Sequence, residues 1–185
     1  MKKIIVVRHG KKVPMASLPE GSDLSDPPLT EAAKKDMAAL CEKLLAKHGK
    51  PSLIASSTKT RAIQTGTPME QACPEAKVVR LQNLGQPDNG EPDASVPGGI
   101  RFAGERSTEA QWWAWWNESL NTVTKGDDET IALFTHGPFM AIAVWQSQNP
   151  GAPKPADGIL WDLAMGPPQS AVFELGENGK LTRIE

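Results

Sequence analysis

Ile4-Ile5-Val6-Val7 is an unbroken β-branched run that ends at Arg8-His9-Gly10. Its lack of polar alternation marks a strand buried on both faces, the habit of parallel sheets. Parallel strands need crossover connections and a covering layer on each face. The chain supplies both. Thr30 is a candidate N-cap for a helix whose Ala33, Met37, Leu40, Cys41, Leu44 and Leu45 recur at helical spacing, stopped by Gly49 and Pro51. Lys47 and His48 sit in its last turn, where cations suit the helix dipole. A strand at Ser52–Ser56, a helix from about Lys59 to Ala72 and a strand at Lys77–Leu81 follow. Thr130–Thr135 reads as a strand, Phe139–Gln146 as a helix and Ser170–Leu175 as a strand that Asn178-Gly179 turns into an antiparallel edge. The alternation predicts an α/β fold, a three-layer α/β/α sandwich with a mostly parallel central sheet. Two Gly/Pro-rich segments, about 82–104 and 149–168, break the rhythm as irregular insertions.

At 185 residues the chain is the size of a single domain, 1–185. Its 20 Lys+Arg against 22 Asp+Glu leave a formal charge of −2, which argues against a general nucleic-acid or membrane-surface binder. Two cysteines, Cys41 and Cys73, make neither a disulfide scaffold nor a four-ligand zinc site. The apolar run after Met1-Lys2-Lys3 is shorter than the roughly 7–15 residues of a signal-peptide core, so the expected location is cytoplasmic, with both thiols reduced. Histidine chemistry must use His9, His48 or His136, the three histidines present. His48, at a helix end, reads as solvent-facing and without a partner.

Three strands end on reactive residues. The first runs into Arg8-His9-Gly10, the second into Ser57 with Arg61 about a turn later, and the fourth into His136-Gly137-Pro138. In open parallel sheets, ligands bind beyond the carboxyl ends of the strands. Two arginines and two histidines are therefore expected to converge on one crevice. Pro138 suits the first turn of a helix, which aims the amides near Gly137 at the same place. Arginine forks and helix amides both suit phosphate oxygens. An imidazole among them can attack phosphorus.

Val7-Arg8-His9-Gly10, Ser56-Ser57-Thr58-Lys59-Thr60-Arg61-Ala62-Ile63-Gln64-Thr65 and Thr135-His136-Gly137 together resemble the histidine phosphatase (phosphoglycerate-mutase-like) superfamily. Leu29-Thr30-Glu31 resembles that family's helix start, and Gly104-Glu105-Arg106-Ser107 is a weaker echo of its Gly-Glu-Ser segment. The resemblance implies that His9 is the nucleophile that takes the phosphoryl group. It makes Arg8, Arg61 and His136 the groups that surround the phosphate, with Gly10, Lys12 and Gly137 as further substrate-binding residues. It implies hydrolysis of a phosphomonoester or phosphoramidate, on a small molecule or a phosphoprotein, with no metal or other cofactor.

Two departures stand out. Asn83 occupies the place where many members carry a general-acid glutamate, leaving Asp88, Glu91 or Asp93 as substitutes. Lys12 and Met15 replace a Thr and an Asn common in mutase-like members, which weakens a phosphoglycerate mutase reading. Lys12 is also compatible with plain solvation. The alternatives are a catalytically weak phosphate-binding module, suggested by Asn83, and a metal hydrolase built on His9 and His136, for which too few carboxylates lie in motif positions. Trp112-Trp113-Ala114-Trp115-Trp116 reads as a core-facing helical stripe, favoured over a ligand-stacking platform.

Overall fold

In the computed structural model, Ile4 and Val6 enter one hydrophobic core and Ile5 and Val7 another, all four fully buried. The structure describes residues 1–85, 90–92, 100–102, 108–166 and 168–185. β1 (Lys2–Arg8) leads through α1 (Glu31–His48) to β2 (Leu53–Ser57), α2 (Thr60–Ala72) and β3 (Lys77–Leu81). A short antiparallel pair, β4 (Gly90–Pro92) and β5 (Ile100–Phe102), precedes α3 (Glu109–Thr124), β6 (Thr130–Thr135) and α4 (Gly137–Gln148). Then come α5 (Ile159–Met165), β7 (Ser170–Leu175) and β8 (Leu181–Arg183).

The main sheet has the order β3-β2-β6-β1-β7-β8. Its first four strands are parallel, whereas β7 runs antiparallel to β1 and β8 to β7. α1 and α2 cover the face of Ile5 and Val7 through Cys41, Leu44 and Met69. α3 and α4 cover the other face through Trp112, Trp116, Phe139 and Ile142. The expected three-layer α/β/α sandwich with a mostly parallel sheet is the observed fold.

Local signals act as read. Thr30 Oγ1 accepts the Ala33 N–H, and Gly49, at φ +80°, closes α1 by donating to Leu45 O. The expected tryptophan stripe packs on the core: Trp112 and Trp116 are buried, and Trp113 and Trp115 lie partly buried against the same cluster. Cys41 and Cys73 are buried free thiols, and burial pushes the Cys41 pKa up to about 11. Among the described residues, no helix is long and apolar enough to cross a membrane.

Three expectations need correction. His48 is not a solvent-facing residue without a partner. Its Nε2 lies 2.7 Å from Glu185 Oε2, because the backbone of Glu185 bonds to Val172 and so passes the end of α1. Segment 149–168 is not wholly irregular, since α5 forms within it, anchored by the buried Leu160. Seven residues are too few to show helical periodicity. Segment 82–104 likewise holds a 3-10 turn at Gln82–Leu84 and the whole β4/β5 pair.

Candidate active site

β6 lies between β2 and β1, so three parallel strands end side by side. Register pairs Arg8 with Thr135, and the His9 N–H extends the ladder to Thr135 O at 2.9 Å. The His9 and His136 rings therefore meet edge to face, with centroids 5.0 Å apart. Of the four side chains expected to share one crevice, Arg8 and His9 line an open cleft, whereas Arg61 and His136 are buried behind it.

His9 Nδ1 lies 2.8 Å from Gly10 O. A carbonyl only accepts, so Nδ1 carries the ring hydrogen and Nε2 keeps a lone pair. Burial, then the charges of Arg61, Arg8 and Lys12, outweigh that bond and lower the His9 pKa to about 4. His136 is fully buried; burial, then Arg61, holds its pKa well below the ordinary value. Both rings are neutral at pH 7, and neutral imidazole is the nucleophilic form. In an NMR titration of the folded protein, His9 should titrate near pH 4 instead of near 6.5. The unfolded chain binds that proton at higher pH, so stability should fall as pH drops from about 6.5 towards about 4. A His9 midpoint at 6 or above contradicts this environment.

Arg61, in the first turn of α2, is 2 % exposed and lies 3.5 Å from Asp26 Oδ1. The same carboxylate accepts the Thr60 N–H at 2.9 Å and the Thr60 hydroxyl at 2.8 Å, fixing the helix start that carries the guanidinium. Gly10 is buried against Ala33 and Met37, where a Cβ would come within 3.2 Å of each side chain. Its N–H donates to Thr65 Oγ1 at 3.3 Å, so its backbone holds the loop and orients His9. Gln64 Oε1 accepts the Leu29 N–H at 2.7 Å and ties the preceding loop to α2.

The open part of the site is a cleft of about 260 Å³. Arg8, His9 and Lys12 line one part of it, Gly137 and Pro138 at the start of α4 another, and Trp112, Trp161 and Ala164 the rest. Four cations, Arg8, Lys12, Lys59 and Arg61, act on one or both imidazoles. A net charge of −2 thus coexists with a local cluster of cations.

A model of the histidine phosphatase superfamily (branch 1) matches residues 4–135, well over half of the chain. The chain belongs to the histidine phosphatase superfamily. Its fold matches Bacillus stearothermophilus YhfR with a TM-score of 0.68 at 16 % identity, covering 100 % of this chain and 96 % of that one. It also matches the phosphoserine phosphatase of Entamoeba histolytica, solved with 3-phosphoglyceric acid, with a TM-score of 0.66 at 16 % identity and the same coverage. For the alpha-ribazole phosphatase of Shigella flexneri the TM-score is 0.64 at 12 % identity, covering 98 % of this chain and 94 % of that one. No curated protein sequence matches the chain.

Asn83 does not line this cleft. Its amide donates to Glu118 Oε2 at 2.7 Å, and both residues line a separate depression. Of the substitutes named for it, Asp88, Asp93 and the side chain of Glu91 lie outside the described residues, as does Gly104-Glu105-Arg106-Ser107. Sequence reasoning missed the roles of Asp26, Ser57 and Trp161. Asp26 and Trp161 sit at no recognisable spacing from the motifs they touch. Ser57 was placed at a strand end, and its contact with His136 follows only from strand order.

Proposed function

We propose that this chain is a metal-independent phosphatase that hydrolyses a phosphomonoester or phosphoramidate through a phosphohistidine on His9. The observation that carries the reading is a neutral His9 with Nδ1 tied to Gly10 O and Nε2 left as a nucleophile, among three cations. Nε2 attacks phosphorus and the bond to the leaving group breaks, its electron pair going to the departing oxygen or nitrogen. Water then attacks the phosphorus, the N–P bond breaks, and inorganic phosphate and free His9 result. Arg8 and Arg61 neutralise charge on the equatorial oxygens and the neutral His136 ring donates a hydrogen bond to one of them, while Lys12 and the Gly137 amide add to phosphate affinity. Arg8, Arg61 and Lys12 also oppose a metal cation at these histidines. That phosphoserine and alpha-ribazole phosphatases share the fold is consistent with a small phosphorylated substrate.

Ser57 Oγ lies 3.0 Å from His136 Nε2 and already accepts the Lys59 N–H at 3.0 Å. In this reading the Ser57 hydroxyl donates to Nε2 and the ring hydrogen of His136 sits on Nδ1, a buried atom with no partner among the described residues. An Nδ1–H is a donor suited to a phosphate oxygen. Ser57→Ala should lower kcat about tenfold, on the order of one hydrogen bond to the reacting group, and Ser57→Thr should restore most of it. Equal kcat in wild type and Ser57→Ala removes Ser57 from the proposal.

The deciding experiment is a rapid quench with a labelled phosphate ester, with and without EDTA. Label should appear on His9 in alkali-stable, acid-labile form, and turnover should persist in the chelator. Loss of turnover with EDTA, or label on another residue, defeats the reading. Asn83, bound to Glu118 and away from the cleft, favours one competing outcome, a phosphate-binding module that hydrolyses weakly. That module would bind phosphate and show no burst.

A further inference from the structure

Trp161 is a large apolar residue left 42 % exposed, yet it lines the same cleft as Arg8, His9 and Gly137. One of its faces is taken: its ring stacks on that of Trp112, centroids 5.4 Å apart and planes 19° from parallel. Trp112 itself is 1 % exposed and fixed in the core. The backbone of Trp161 is pinned as firmly. Its N–H donates to Glu109 Oε1 at 2.7 Å, and the Gly158 N–H lies 3.1 Å from each oxygen of the same carboxylate. Glu109 is only 8 % exposed, so a nearly buried charge is committed to holding this turn. The next residue back, Leu160, is fully buried. The fixed indole therefore presents its exposed aromatic surface within the cleft, beside Arg8, His9 and Lys12.

We propose that Trp161, backed by Trp112, is a stacking platform for the leaving group, and that the substrate is a phosphate ester of an aromatic or heteroaromatic moiety. This rests on the phosphatase reading above. The two halves of the cleft divide the work: the cationic end takes the phosphoryl group, and the indole takes the planar group attached to it. An aryl oxygen can depart with the electron pair of the broken P–O bond delocalised into its ring, and takes its proton from water afterwards. An alkoxide lacks that delocalisation and depends more on a proton donor.

The test compares 1-naphthyl phosphate with the phosphate of a fluorinated alcohol matched to naphthol in acidity, so that leaving-group chemistry cancels. Wild type should favour the naphthyl ester in kcat/KM by about tenfold or more. In Trp161→Ala the ratio should collapse towards one, and Trp161→Phe, which keeps a ring, should fall between. A ratio near one in wild type, or the same ratio in wild type and Trp161→Ala, overturns the platform. Calorimetric binding of naphthylmethylphosphonate against methylphosphonate separates the two readings, because it needs no turnover. If neither ester is hydrolysed but the naphthyl phosphonate binds about tenfold tighter and Trp161→Ala erases that gap, the platform stands and the phosphatase reading fails. Equal binding of both phosphonates by wild type refutes the platform.

Discussion

His9→Ala should lower kcat for an aryl phosphate by about 10⁴-fold or more, leaving only the residual rate that an anion pocket gives without its nucleophile. The fold should survive. His9 contributes a ring whose burial and cationic neighbours already disfavour its protonated form, and its backbone N–H to Thr135 O does not depend on the side chain. A change within about 1 kcal/mol is expected, which for a chain of this length is roughly 2–4 °C in Tm. Phosphate affinity should persist, since Arg8, Arg61, Lys12 and the start of α4 remain. Wild-type turnover by folded His9→Ala would exclude the phosphohistidine route. Loss of folding would be answered by His9→Asn, which keeps a polar side chain at the site but no ring nucleophile.

The second large effect is at Arg61. Removing one preorganised donor from a developing anion typically costs about 10²–10³-fold in rate, and Arg61→Ala should lose about 10³-fold in kcat/KM. Arg61→Lys should recover only part, because an ammonium keeps the charge but not the planar fork. A second readout separates electrostatics from simple disruption. Arg61 lowers the pKa of both His9 and His136, so deleting it should move the His9 titration upward from about 4. The rise will be partial, since burial is the larger cause. An unchanged His9 titration in folded Arg61→Ala contradicts the arrangement. Asp26 would also lose its charged neighbour while still capping Thr60, so some loss of stability accompanies the change.

Much of this arrangement was legible in the residues alone, for identifiable reasons. A run such as Ile4–Val7 has one stable use, and the reactive residue after it inherits its place from the sheet. The same placement sets Arg8, His9 and His136 at the ends of adjacent strands, with Arg61 in the first turn of α2. The supporting contacts were not legible, because they join residues on separate elements. Asp26 reaches α2 from a loop before α1, and Glu109 reaches α5 from another helix. Trp161 lies in a Gly/Pro-rich segment whose seven-residue helix is too short to show a periodicity, unlike the tryptophans of α3. Periodicity correctly assigned those to the core but could not show that Trp112 also walls the cleft.

The position of β6 has a consequence for how the chain is made. β1 and β2 share no ladder; each pairs with β6, which is synthesised long after both. A nascent chain ending at β3 can therefore pair β2 with β3 but has no ladder to set β1, with Arg8 and His9, beside them. Closing the β1–β6 pairing spans most of the polypeptide, a slow, non-local step. Phosphoryl chemistry should thus be born late and all at once, when β6 slots between its neighbours and delivers His136 in the same motion.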